Sequence, residues 1–171
     1  MRPAHGVGRV VRIAAEEVSG HSLELVQVAF DEGGLALRVP RAKVGAIGLR
    51  RLTAPALIAE AMAVLRGKPR PGKGMWSRRA QEWQAKLDSG DPRVVAEVVR
   101  DLGRNAGPAG EGSFSERRLF EAALDRLAGE VAAVEGVGKQ AVVARITAQL
   151  TSAAGPGAGG GAGDAPADGS P

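Results

Sequence analysis

The spacing of apolar residues changes once along this chain, near residue 53, and that change limits the folds available to it. Before it, apolar residues alternate at the period of a pleated strand; after it, they recur at the 3.6-residue period of a helix. "VGRVVRIAAEEV" carries β-branched Val7, Val10, Val11 and Ile13. "SLELVQVAF" places Leu23 and Leu25 and then, after a step, Val26, Val28 and Phe30 at alternate positions, and "LALRVP" does the same with Leu35, Leu37 and Val39. "VSGHS" and "DEGG" separate these runs and read as turns, the second as a hairpin loop whose glycines are free to take positive φ. "KVGAIGLRRL" adds a last short strand or turn. Several short strands in so little chain predict a small, strongly bent β-barrel of the SH3 or Tudor kind.

Beyond Thr53, read as an N-cap with Pro55 just inside the first turn, the residues Leu57, Ile58, Ala61, Met62 and Leu65 trace a helical face. A basic Pro/Gly loop, "KPRPGKG", ends that helix. The next helix runs from about Trp76 to Leu87. "SGDP" then stops it and starts another, with Asp91 as N-cap and Pro92 at N1 and a stripe of Val94, Val95, Val98, Val99 and Leu102. Ser113 or Ser115 opens a long helix with Leu119, Phe120, Ala123, Leu124, Leu127 and Val131 inward. Gly136 and Gly138 break it, and a final helix spans about Lys139 to Leu150. From Ala153 the chain has no large apolar residue to offset the entropy of ordering. The fold class predicted is α+β: a β domain over residues 1–52, an all-α domain of four to five helices over 53–152, and a disordered Gly/Ala/Pro tail over 153–171.

Composition removes several function classes. Cysteine is absent among the 171 residues, so neither a disulfide framework nor a thiolate site is available, as suits a reducing cytoplasm. His5 and His21 lack further ligands at metal spacing. No apolar run approaches the roughly 18 residues of a membrane span, and the N-terminal stretch, cut by Arg9 and Arg12, is no signal peptide. No nucleophile–base–acid constellation is present, and "HGVGRV" lacks the third glycine and the Lys-Ser/Thr ending of a phosphate loop. Acids and bases at helical spacing in "ERRLFEAALDRLAGE" read as solvated-face pairs. No enzyme, cofactor or metal site is expected.

The charge is unevenly distributed. Seven Lys or Arg and a single Glu lie between Arg66 and Lys86, whereas eight basic and ten acidic residues between Asp88 and Leu150 nearly cancel. The two tryptophans, Trp76 and Trp83, both fall in the basic window, in "KGMWSRRAQEWQAK". An apolar plate ringed by cations suits a phosphate backbone with stacked bases beside it. Alone, the same residues also describe a core tryptophan on a helix with solvated outer faces, and most tryptophans are largely buried. In the β region, Pro40 cannot donate to a ladder, so "LRVPRAKVG" belongs at an edge or strand end. Such an edge could receive a partner's strand, or simply be blunted by Pro40 and Arg41.

In order from Pro3 to about Leu150, "PAHGVGRVVRI", "LRVPRAKVGAIGLRRL", "MWSRRAQEWQAKLDSGDPRVVAEVVRDL" and "FSERRLFEAALDRL" resemble the CarD family of bacterial transcription regulators. The resemblance implies an N-terminal Tudor-like domain, shared with the transcription–repair coupling factor, that binds the β subunit of RNA polymerase. Its binding strand falls on "LRVP", so Arg38, Val39 and Pro40 are the implied polymerase contacts. It also implies a helical domain at the upstream edge of the transcription bubble, where a tryptophan wedges into the minor groove without reading sequence. Trp76 matches that tryptophan, Arg78 and Arg79 the basic pair after it, and Arg117 and Arg118 a later basic pair near DNA; Lys86 closes the basic window and is counted with them. The pattern departs from the family in three ways. The family's opening strand has no counterpart between Met1 and the "HG" turn, so the barrel is one strand short or the true start lies upstream. Ala80 and Gln81 stand where an aromatic or His and a basic residue are usual. Trp83 is an extra aromatic, two turns on from Trp76; it is expected to pack in place of the aromatic missing at Ala80, the alternative being a second DNA wedge. The expected protein is a cytoplasmic, nucleoid-associated monomer that stabilises the open promoter complex; the alternative is a protein–protein adaptor that uses the Tudor-like module without acting on DNA.

Overall fold

The structure, a computed structural model, describes residues 6–30, 34–70, 74–107 and 110–153. His5, most of the "DEGG" turn, Pro71 to Lys73 of the basic loop and the tail from residue 154 lie outside them. The order of elements is β1 (Gly8–Val18), β2 (His21–Phe30), β3 (Ala36–Pro40), a 3-10 turn at Arg41–Lys43, then α1 (Pro55–Val64), α2 (Trp76–Asp88), α3 (Pro92–Ala106), α4 (Phe114–Glu135) and α5 (Lys139–Ala153).

The strands form one antiparallel sheet in the order β1-β2-β3. Ser19 and Gly20, both at positive φ (53° and 77°), join β1 to β2 in the turn geometry that matches the twist of the flanking strands. Val26, Val28 and Phe30 point to one face, where Leu35, Leu37, Val44 and Leu49 pack on them. Val26 sits opposite Val39 and Val28 opposite Leu37, so the alternation read from the sequence matches the register. Gly8 approaches β2 closely: a Cβ there would lie 2.8 Å from Val28 Cγ1 and 2.9 Å from the Phe30 ring.

The sheet is not a closed barrel. "KVGAIGLRRL" forms turns rather than a further strand, with Ile47 N–H donating to Lys43 O, Gly48 N–H to Gly45 O and Leu49 N–H to Val44 O. This folds Val44 and Leu49 over the β2 cluster of Val26, Val28 and Phe30. Val10 and Ile13, opposite Val28 and Val26, stay 54% exposed, and Val11 at the bulge between them 58%.

The five helices share a second core. α3 lies at its centre, with Val95, Val98, Val99 and Leu102 buried in one cluster with Ile58 and Ala61 of α1, Leu65 just after it, and Phe120, Leu127 and Val131 of α4. Val142 and Ile146 of α5 complete it. The Asp91 carboxylate accepts from Arg93 N–H at 2.9 Å as the α3 cap, and Pro92 occupies N1, as the sequence predicts. Ser113, rather than Ser115, caps α4. Gly136, at φ 70°, ends α4 in the left-handed conformation that only glycine adopts without cost. α5 runs on to Ala153, three residues past the expected Leu150.

Two expectations fail for one reason. Thr53 is not the α1 cap; Ala54 holds that position with no side-chain bond. Thr53 instead donates from its hydroxyl (2.7 Å) and its N–H (3.1 Å) to Glu130. Glu130, read as part of a solvated face, is 2% exposed. Arg50 reaches it with two bonds, at 2.6 and 2.8 Å, and also donates to Gly90 O. One buried carboxylate thus joins the segment leaving the sheet, the α2–α3 turn and the middle of α4.

Candidate nucleic-acid interface

α2 begins at Trp76 without a side-chain cap; Met75 precedes the helix in extended conformation and is 77% exposed. With about 3.6 residues per turn, positions 76, 79 and 83 share one face of α2. Trp83 is 7% exposed and belongs to the helical core, as expected for the packing tryptophan. Trp76 is only half-buried and lies at the margin of that core. The two ring centroids are 5.7 Å apart, tilted by 55°.

Arg79 lies against both rings, which also touch each other. Its guanidinium carbon lies 5.6 Å from the Trp76 ring centroid and 5.3 Å from that of Trp83, within the range of cation–π attraction. Glu116, in the first turn of α4, faces it at 3.7 Å. Glu116 also closes the α4 capping box: it accepts from Ser113 N–H at 2.9 Å while Ser113 Oγ accepts from Glu116 N–H. The first turns of α2 and α4 therefore meet through one ion pair.

That junction brings most of the predicted DNA residues to one end of the helical body. Arg78, 83% exposed, projects outward and pairs with Glu82 at 3.3 Å. Arg117 and Arg118 are exposed on the first turns of α4. Lys86 is not part of this group. It sits ten residues beyond Trp76, about 15 Å along the helix axis, and pairs with Glu97 of α3 at 2.8 Å. Two apolar residues at the same end escaped the sequence reading: Met75, and Phe114 at 68% exposure with the Arg118 guanidinium 5.9 Å from its ring. A signal for Phe114 was present, since the capping box "SFSE" fixes it at the first helical position.

The predicted polymerase-binding residues lie on β3, an edge strand of the described sheet. Arg38 is 56% exposed in its side chain and pairs with Glu16 of β1 at 3.1 Å. Val39 is 7% exposed and turned into the sheet's apolar face, so only its backbone is available to a partner. Pro40 ends the strand, and Arg41 reaches both oxygens of Glu24 at 2.9 Å.

Glu130 also has a perturbed carboxyl. Burial raises its carboxyl pKa, but the hydrogen bonds from Arg50 and Thr53 outweigh burial and hold it below the ordinary carboxylate range. Among the described residues no group of three or more His, Cys, Asp or Glu is placed to hold a metal ion, and no helix is long and apolar enough to cross a membrane.

The sequence model of the CarD C-terminal domain matches residues 60–147. That span runs from within α1 to within α5 and includes Trp76, Arg79, Trp83 and Glu116. Covering more than half of the 171 residues, the match shows that the chain belongs to the CarD family of transcription regulators.

Proposed function

We propose that this regulator acts at transcription initiation by bridging the β subunit of RNA polymerase and promoter DNA at the upstream edge of the bubble, and that it stabilises the open complex. In this reading residues 1–52 are the Tudor-like polymerase-binding domain, using the β3 edge with Arg38, the Val39 backbone and Pro40. Residues 53–152 are the DNA-binding domain. Trp76 is the minor-groove wedge, and Arg78, Arg117 and Arg118 contact phosphates without reading sequence.

The observation that carries the reading is the half-buried indole of Trp76 on the first turn of α2, beside exposed Arg78 and across an ion pair from Arg117 and Arg118. A core residue would be enclosed as Trp83 is. Stacking of a base on an aromatic ring contributes about 1–3 kcal/mol. About 1.4 kcal/mol shifts an equilibrium tenfold, so one such contact made only in the open complex suffices to change its population. The Arg38–Glu16 pair is consistent with a binding role, since exposed pairs contribute about 0–1 kcal/mol and exchange at little cost.

The test is the lifetime of open complexes on a promoter with fluorescent bases near the upstream bubble edge. Trp76→Ala should abolish the gain in lifetime while polymerase binding persists. Arg38→Glu should abolish polymerase binding with the fold intact. Full activity of Trp76→Ala would refute the wedge.

One observation favours the adaptor reading: among the described residues Val10, Val11 and Ile13 of β1 are each more than half exposed, as on a protein-binding surface. Salt-dependent binding to forked DNA by the isolated protein separates the two, since phosphate contacts release counterions and an adaptor makes none.

A further inference from the structure

We propose that Arg79, which the family resemblance presents as a DNA contact, is a positioning residue: it fixes the orientation of the Trp76 indole and couples it to the first turn of α4. The inference rests on the proposed role of Trp76 for its functional consequence, and on geometry alone for its structural part.

The guanidinium lies against both indoles, at 5.6 and 5.3 Å, and its side chain is only 22% exposed. Its charge already faces Glu116, itself 15% exposed. Arg78, one residue earlier and 83% exposed, is the arginine of the pair that is available to phosphate. The Arg79 guanidinium is planar and broad, so it can pack over both neighbouring rings at once while its edge faces a carboxylate; a lysine ammonium is a strongly hydrated point charge that cannot. Trp83 is held in the core. Trp76, only half-buried, is less enclosed, and the arginine beside it and Trp83 supplies a contact that fixes its rotamer. Because Glu116 also closes the α4 capping box, the anchor of this arrangement is set by the start of α4 rather than by α2.

Three variants separate positioning from phosphate contact. Arg79→Gln removes charge and stacking, Arg79→Lys keeps the charge but not the plane, and Glu116→Gln keeps a capping side chain while removing the charge that faces Arg79. In the free protein, the indole N–H resonance of Trp76 should shift or broaden in all three, with the rest of the amide spectrum retained. On forked DNA, Arg79→Gln and Arg79→Lys should leave the slope of log affinity against log salt unchanged, whereas loss of one duplex phosphate contact reduces it by about 0.9. Open-complex lifetime should fall severalfold in all three variants while polymerase binding persists.

Glu116→Gln gives outcomes of opposite sign. If Arg79 were a phosphate contact held back by Glu116, this variant would bind DNA more tightly and lengthen the lifetime; the positioning role predicts a shorter one. Rescue by Arg79→Lys, a reduced salt slope in Arg79→Gln, a longer lifetime in Glu116→Gln, or an unmoved Trp76 resonance would each overturn the proposal. The resonance is read without DNA, so wild-type protein that fails to bind forked DNA counts against the proposed function and leaves the structural claim standing.

Discussion

Arg50 and Glu130, 80 residues apart in sequence, meet through two hydrogen bonds of 2.6 and 2.8 Å, and the carboxylate is almost completely enclosed. The pair lies where the chain passes from the sheet to the helices, and Thr53 and Gly90 share in it. It is the junction that sets the sheet's exit segment against the helical body.

Removing one partner should cost far more than an exposed ion pair would. Arg50→Ala leaves the Glu130 carboxylate buried without its counter-charge, and such changes cost about 3–5 kcal/mol. Arg78→Ala, which breaks an exposed pair, should cost less than about 0.5 kcal/mol. Urea denaturation followed by circular dichroism measures both, and equal midpoints for the two variants would contradict the assignment.

The same site predicts a pH dependence. The Glu130 pKa is lowered in the folded protein, so its contribution is complete above the ordinary glutamate value of 4.5 and is lost as pH falls through the lower folded value. Wild-type stability should therefore decline on acidification below that point. Glu130→Gln should be less stable at neutral pH and lack this part of the decline, so that the difference between the two proteins narrows in acid. Denaturation midpoints across the acid range test this, and a constant difference would exclude it.

The tryptophans should separate in stability as they do in burial. Trp83→Ala empties a core position, a change that typically costs about 3–5 kcal/mol. Trp76→Ala, at the margin, should cost clearly less, so its effect on transcription can be read in a folded protein. Thermal melting of the two variants, side by side, decides the order.

On the sheet, Val28 and Ile13 lie on the same face but differ in cover. Val28 is 4% exposed, and Val28→Ala should cost about 2 kcal/mol. Ile13, more than half exposed, should tolerate Ile13→Thr within about 0.5 kcal/mol. A large loss from Ile13→Thr would mean that this face is covered in solution.

The local features were legible in the sequence because each follows from neighbours in the chain. The strands at β1 to β3, the caps at Asp91 and Ser113 and the stop at Gly136 all express periodicity or turn chemistry over a few residues. Thr53 misled for the same reason: next to a helix start it has the chemistry of a cap, and nothing nearby shows that its hydroxyl is already engaged by Glu130.

The sequence by itself therefore determined the elements, their order, the basic window around Trp76 and the family. Tertiary structure decided which charges are surface and which are structural. Arg50 with Glu130, and Arg79 with Glu116, are paired across distances that helical spacing does not encode, and burial makes each pair matter. It also decided that the segment after Pro40, which the sequence leaves open as strand or turn, folds into turns over the sheet and adds no strand among the described residues. Periodicity reports only which face of an element is apolar; what covers that face is settled by the approach of segments distant in sequence.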